Sequence, residues 1–127
     1  MDECRIEYEA DPRQAEQLIR DTQLQGANAV TTPGTKPLPH QLEQEQPLSM
    51  SDFTRFRGQA ARANYLGPDR PDVIYAAKEV SRGMSSPTDL HQAALKRMVR
   101  YLQSRPRMVF KFDCHSATDI DAYAYTD

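Results

Sequence analysis

The chain has 127 residues, 39% of them hydrophobic and 27% charged, with a formal net charge of -2; this suits one small domain or a slice of a larger one. No apolar run approaches the roughly 20 residues that cross a bilayer, and the acidic start Met1-Asp2-Glu3-Cys4-Arg5 lacks the apolar stretch of a secretory signal, so a soluble intracellular protein, cytoplasmic or nuclear and without a membrane partner, is expected. Cys4 and Cys114, one near each end, exclude a disulfide framework and a four-cysteine zinc site.

The small net charge hides an asymmetry. Residues 1–50 carry nine acidic and four basic side chains, whereas residues 51–112 carry twelve basic and five acidic. In chain order, Arg5-Ile6-Glu7-Tyr8-Glu9-Ala10 alternates polar and apolar residues and predicts a strand near 4–10. Asp11-Pro12-Arg13-Gln14 is a helix start, with a capping acceptor, a proline at the first helical position and a glutamine three after the cap. Ala15, Leu18, Ile19 and Thr22 give that helix an apolar face, and Gly26 offers a stop, for a helix near 12–24. Residues 31–50, with four prolines and a Glu/Gln run, read as an extended linker or mobile loop.

Phe53, Phe56, Ala60 and Ala63, closed by Tyr65 and Leu66, predict a second helix over 51–66, starting at Ser51 or Asp52. Gly58 in its interior costs about 1 kcal/mol relative to alanine. Pro71 opens a third helix, 71–84, with Val73, Ile74, Ala77 and Val80 inward and Met84 near its end. Ser85-Ser86-Pro87-Thr88 is a turn followed by a cap, and the fourth helix, 88–104, carries the clearest stripe: Leu95, Met98, Val99 and Leu102. Beyond Pro106 the period becomes two. Met108, Phe110 and Phe112 predict a strand over 107–113, and a second alternating run over 120–126 is placed to pair with it. The expected fold is α+β and mainly helical: about four helices with a C-terminal two-stranded β element.

The three histidines, His40, His91 and His115, lie at no metal-ligand spacing; His91, in the opening turn of the fourth helix, reads as a packing or capping residue. Cys114 and His115 are strand neighbours whose side chains point oppositely, which argues against a nucleophile pair. Asp113, Asp119, Asp121 and Asp127 read as a solvated face, since Asp121 and Asp127 are about 20 Å apart at strand rise. The stronger cluster is Lys96, Arg97, Arg100, Arg105, Arg107 and Lys111, against which only Asp89 is acidic between residues 88 and 112. Lys96, Arg97 and Arg100 on one helix are the candidate phosphate contacts, because a phosphate asks for charge rather than for base-edge geometry.

Read together, Tyr65-Leu66, Arg70-Pro71-Asp72-Val73-x-Tyr75-Ala76 and Ser81-Arg82-x-Met84-Ser85-x-Pro87-Thr88-x-x-His91-x-x-Ala94-Leu95-Lys96-Arg97-x-x-Arg100-Tyr101-Leu102 closely resemble copia-type LTR retrotransposon polyproteins. There this string follows the polymerase palm, in the thumb-to-connection region leading to ribonuclease H. Ala10-Asp11-Pro12-Arg13-Gln14-Ala15-Glu16 and Val30-Thr31-Thr32-Pro33-Gly34 are similar to the segments before it. The resemblance implies the end of a polymerase thumb-like segment over 1–30, a Pro/Gln-rich linker over 31–50, a helical connection region over 51–106, and over 107–127 the first strands of a truncated ribonuclease H-like domain. In that domain Ala124-Tyr125-Thr126-Asp127 would be the first strand, and Asp127 a Mg²⁺ ligand of the intact enzyme.

Two-metal chemistry needs several converging carboxylates, and the adjacent Asp-Asp pair of a reverse transcriptase palm occurs nowhere in this sequence. The chain is therefore expected to need no cofactor and to turn nothing over by itself, its role in the parent being to position an RNA–DNA hybrid beside polymerase and ribonuclease H domains that lie elsewhere. Two other readings are a free-standing helical interaction or nucleic-acid-binding module kept by a host, and a clipped gene for an active polymerase and ribonuclease H.

Overall fold

A computed structural model describes residues 4–114, in the order β1 (Cys4–Glu9), α1 (Pro12–Asp21), α2 (Pro39–Glu43), α3 (Met50–Leu66), a 3-10 turn (Gly67–Asp69), α4 (Ile74–Arg82), α5 (Asp89–Ser104) and β2 (Val109–Cys114). This is the mainly helical α+β arrangement that the periodicities predict. The helix starts follow their capping chemistry: Asp11 accepts from the Arg13 N–H at 3.0 Å with Pro12 in the first turn, and Ser49 Oγ accepts from the Asp52 N–H. At α5, the Thr88 N–H donates to His91 Nδ1 at 3.1 Å, so His91 acts as the cap expected of it.

One apolar core joins four helices. α1 supplies Ala15, Leu18 and Ile19; α3 supplies Phe56, Ala60, Ala63 and Leu66; α5 supplies Leu95, Met98, Val99, Tyr101 and Leu102. From α4 and the residue before it come Val73, Ala76, Ala77 and Val80, at the i, i+3, i+4, i+7 spacing of a buried helical stripe. Ile74, expected inward, is 47% exposed. The stripe runs through Val73 and Ala76, which turns Ile74 to the rim.

Two further boundaries differ from the expectation. α1 ends at Asp21 rather than near residue 24, because the chain reverses at Gln23, whose φ of 58° is left-handed, before Gly26 does the same at 76°. The α1 end is closed from outside: Gln59 Nε2 on α3 donates to the Asp21 carbonyl at 3.0 Å. Within 31–50, read as a linker, α2 forms one short helix, and the Leu48 N–H donates to the Pro87 carbonyl at 3.1 Å while the Asp89 N–H donates to the Gln46 carbonyl at 2.9 Å. These bonds satisfy backbone groups that periodicity alone left unassigned.

β1 and β2 pair antiparallel, with Ile6 opposite Phe112 and Tyr8 opposite Phe110. The run over 120–126, expected to pair with residues 107–113, lies outside the described residues; the strand that pairs with β2 in the structure is β1. Alternation puts Ile6, Tyr8, Phe110 and Phe112 on one face and Glu7, Glu9 and Lys111 on the other. On the charged face Lys111 Nζ lies 4.0 Å from Glu7, and Arg107 Nη2 donates to Glu9 at 3.0 Å; these hydrogen bonds from Arg107 hold the Glu9 carboxyl below its ordinary range. The Tyr8 hydroxyl donates to Asp69, tying the sheet to the 3-10 turn.

The turn before α4 is locked by a buried charge. Arg70 is only 1% exposed. Its Nε and Nη2 donate to the two oxygens of Asp72 at 2.9 and 2.7 Å, Nη2 also donates to the Arg105 carbonyl at 2.8 Å, and the Tyr101 hydroxyl donates to Asp72 at 2.9 Å. Burial pushes the Asp72 carboxyl upward, but the hydrogen bonds from Arg70 and Tyr101 outweigh it and hold the group below the usual carboxylate range. The same burial, with the bond to Asp72, raises the Tyr101 phenol.

Removing one partner of such a pair strands the other charge, so Arg70→Ala should cost about 3–5 kcal/mol in a denaturant titration. Because the folded-state pKa of Asp72 is depressed, its contribution is complete above the unfolded value of about 4 and is lost as pH falls through the folded value. Asp72→Asn should therefore be less stable at neutral pH and lose less stability on acidification than the parent. Two glycines should respond oppositely to alanine. A Cβ on Gly58 meets nothing within 4 Å, so Gly58→Ala should stabilise by about 0.5–1 kcal/mol. One on Gly83 would lie 2.4 Å from the ring of His91, and Gly83→Ala should destabilise by about 1–3 kcal/mol. Thermal melts of the two variants check the signs.

Candidate nucleic-acid interface

α5 presents its apolar stripe to the core and its basic residues to the outside, as the helical period requires. The structure divides the predicted trio. Arg100 Nε donates to the Asn28 carbonyl at 2.7 Å, and Arg97 Nη2 donates to Thr32 Oγ1 at 2.8 Å. Both guanidinium groups thus hold down the stretch after α1, and Arg97 Nε is buried with no partner among the described residues. Gln103 joins them: with its amide nitrogen turned toward the Leu24 carbonyl, its oxygen accepts from the Gly26 N–H.

Lys96 does not share this role. It is exposed and stands at an open cleft of about 450 Å³ between the end of α1, α3 and α5, which also takes in Arg55, Gln59 and Gln92. Of the other basic residues in the predicted cluster, Arg105 lies over the Tyr101 ring at 5.7 Å, Arg107 is bound to Glu9, and Lys111 lies beside Glu7. Among the described residues Lys96 is the one member of the six with no protein partner. Arg55, which the sequence reading missed, comes from a helix 41 positions earlier in the chain; no spacing within one element could have joined it to Lys96.

A second cleft, of about 320 Å³, lies between the 33–45 stretch, α4 and α5 and is lined largely by apolar groups such as Leu42, Tyr75, Ala76 and Ala94. Its charged residues, Lys36, Glu45, Glu79 and Arg82, are two of each sign. His40 sits in the exposed α2, and no group of three or more His, Cys, Asp or Glu among the described residues is placed to hold a metal ion. Asp127, with Asp119, Asp121 and His115, lies outside the described residues, as do the side chains of Asp113 and Cys114. No described helix is long and apolar enough to cross a membrane.

Comparison with known proteins gives this geometry its setting. Over 110 residues, 87% of its length, the chain is 34% identical to the retrovirus-related Pol polyprotein from transposon RE1 of Arabidopsis thaliana. Over 90 residues it is 38% identical to the corresponding polyprotein from transposon RE2 of the same plant. The chain belongs to the copia-type Pol polyproteins. This Pol segment spans 7% of the length of the RE1 polyprotein and 6% of that from RE2. No family model and no solved structure matches it. Within the Pol segment, the Arg70-Pro71-Asp72 string that carried much of the resemblance is the buried clamp of the fold, and His91 is a helix cap.

The divided trio has a measurable consequence. Arg100→Ala should free the Asn28–Thr32 stretch at a cost of about 1–2 kcal/mol, the worth of a charged hydrogen bond, and amide hydrogen exchange over residues 28–32 should then quicken. Arg97→Ala should cost less, since it also removes a buried donor that has no acceptor. Lys96→Ala should leave both stability and exchange unchanged.

Proposed function

We propose that this Pol segment is a non-catalytic positioning element of a reverse transcriptase and ribonuclease H polyprotein, lying between the two activities and holding an RNA–DNA hybrid by its phosphates. The observation that carries this reading is Lys96: an exposed cation on the basic helix with no protein partner among the described residues. The membership in Pol polyproteins supports it, as does the excess of basic over acidic side chains between residues 51 and 112. A lysine in water contributes to nucleic-acid binding by releasing condensed counterions, without reading a base. Arg97 and Arg100 act one step back, by fixing the stretch packed beside that helix. In the intact polyprotein, magnesium chemistry belongs to carboxylates brought in by other parts of the chain, Asp127 among them.

Fluorescence anisotropy with a short RNA–DNA hybrid at rising salt tests this. The affinity should fall linearly on a logarithmic plot, and Lys96→Ala should flatten the slope by about one phosphate contact. The purified chain should neither cleave the hybrid nor extend a primer. Binding indifferent to salt would overturn the phosphate role, and hybrid cleavage free of contaminating protein would overturn the non-catalytic one.

A further inference from the structure

The cleft beside Lys96 has a composition that a plain solvated face does not require. Its walls are polar, with Leu95 the one apolar side chain among those that line it. Several of its groups are already occupied. The Thr22 hydroxyl donates to the Leu18 carbonyl at 2.9 Å, and the Gln59 amide donates to the Asp21 carbonyl at 3.0 Å. The Asp21 carboxylate accepts from Gln17 Nε2 at 2.8 Å and lies 3.4 Å from Arg62 Nε, so its charge is met from outside the cleft.

What remains is a set of donors. Lys96 and the amide of Gln92 have no side-chain partner among the described residues. Arg55 has only Asp52, at 3.9 Å across an exposed i, i+3 pair, and such pairs are worth little and yield readily to a competing anion. Lys96 and Gln92 sit one turn apart on α5, and Arg55 faces them from α3. Two cations on separate helices and a neutral N–H donor lining the same cleft are the kind of donors that the oxygens of a tetrahedral oxyanion accept from. The cleft is open, so a phosphate that belongs to a long backbone can enter while its neighbours stay outside.

We infer that Arg55, Lys96 and Gln92 form one seat for a backbone phosphate of the bound nucleic acid, held from two helices at once. This deepens the proposed function and rests on it, since it presumes that nucleic acid is the partner. It also assigns Arg55 and Gln92 a binding role. Because the seat bridges α3 and α5, a phosphate in it ties the two helices together across the end of α1.

The test uses the full chain, the same hybrid and a double-substitution cycle. Arg55→Ala and Lys96→Ala should each weaken binding on the order of tenfold, as loss of a charged hydrogen bond does. Together they should weaken it by less than the product, because both hold the same phosphate. Gln92→Ala should lower affinity while leaving the salt slope as it was, since glutamine carries no charge. Arg13→Ala, on the far end of α1 and already paired with Asp11, should change neither. Arg13, Arg55 and Lys96 are exposed and Gln92 is half-buried, and unchanged circular dichroism confirms that each variant folds. Salt-dependent binding by the parent that ignores Arg55, Lys96 and Gln92 would overturn the seat and leave the proposed function standing. Purely multiplicative losses would overturn a shared phosphate, and absence of salt-dependent binding by the parent would overturn both readings.

Discussion

A single buried guanidinium sets the geometry on which the other contacts depend. Arg70 leaves water for a site where Asp72, the Arg105 carbonyl and, through Asp72, the Tyr101 hydroxyl meet its charge. Buried ion pairs are not strong stabilisers when compared with apolar replacements, but they tolerate very few alternative arrangements. Here the pair joins the turn that starts α4 to the carbonyl end of α5, two points 35 positions apart in sequence. With those ends fixed, the register between the stripes of α4 and α5 follows, and so does the direction in which the outer face of α5 points.

That outer face divides its labour by distance from the core. Arg97 and Arg100, half-buried, serve the fold by gripping the stretch after α1, while Lys96, one position earlier, is exposed. A basic run on a helix is therefore not one feature but two. The difference arises from a rotation of about 100° per residue, which carries adjacent cations toward different neighbours.

The helices were largely legible because each carries its own punctuation. Asp11-Pro12, the turn before Thr88 and the stripe through Leu95, Met98 and Leu102 state their elements within a dozen residues, and those elements are found where the pattern puts them. What could not be read depends on pairs distant in the chain. The pairing of β1 with β2 depends on residues about a hundred positions apart, and alternation alone only says that each wants a partner. The bonds that place residues 46–48 against the start of α5 are of the same kind. So is the meeting of Arg55 with Lys96. Ile74 shows a different limit: with Val73 beside it, an apolar residue gives no sign of which of the two the helix will turn inward. The Arg70-Pro71-Asp72 string was visible as a pattern, but its meaning required knowing that the site is dry.

The register that sets Cys4 beside Cys114 makes the helices one long excursion from a narrow stem. Entry and exit share a corner, so tension applied through the two flanking stretches would open the stem like a zipper, one rung at a time, rather than shear all its rungs together. The rungs nearest the corner would part first, and the helical body would feel the load only when it reached Tyr8 and the bond from its hydroxyl to Asp69. A module hung in this way can be carried within a much longer polypeptide while strain arising elsewhere along it is absorbed before it reaches the packed interior.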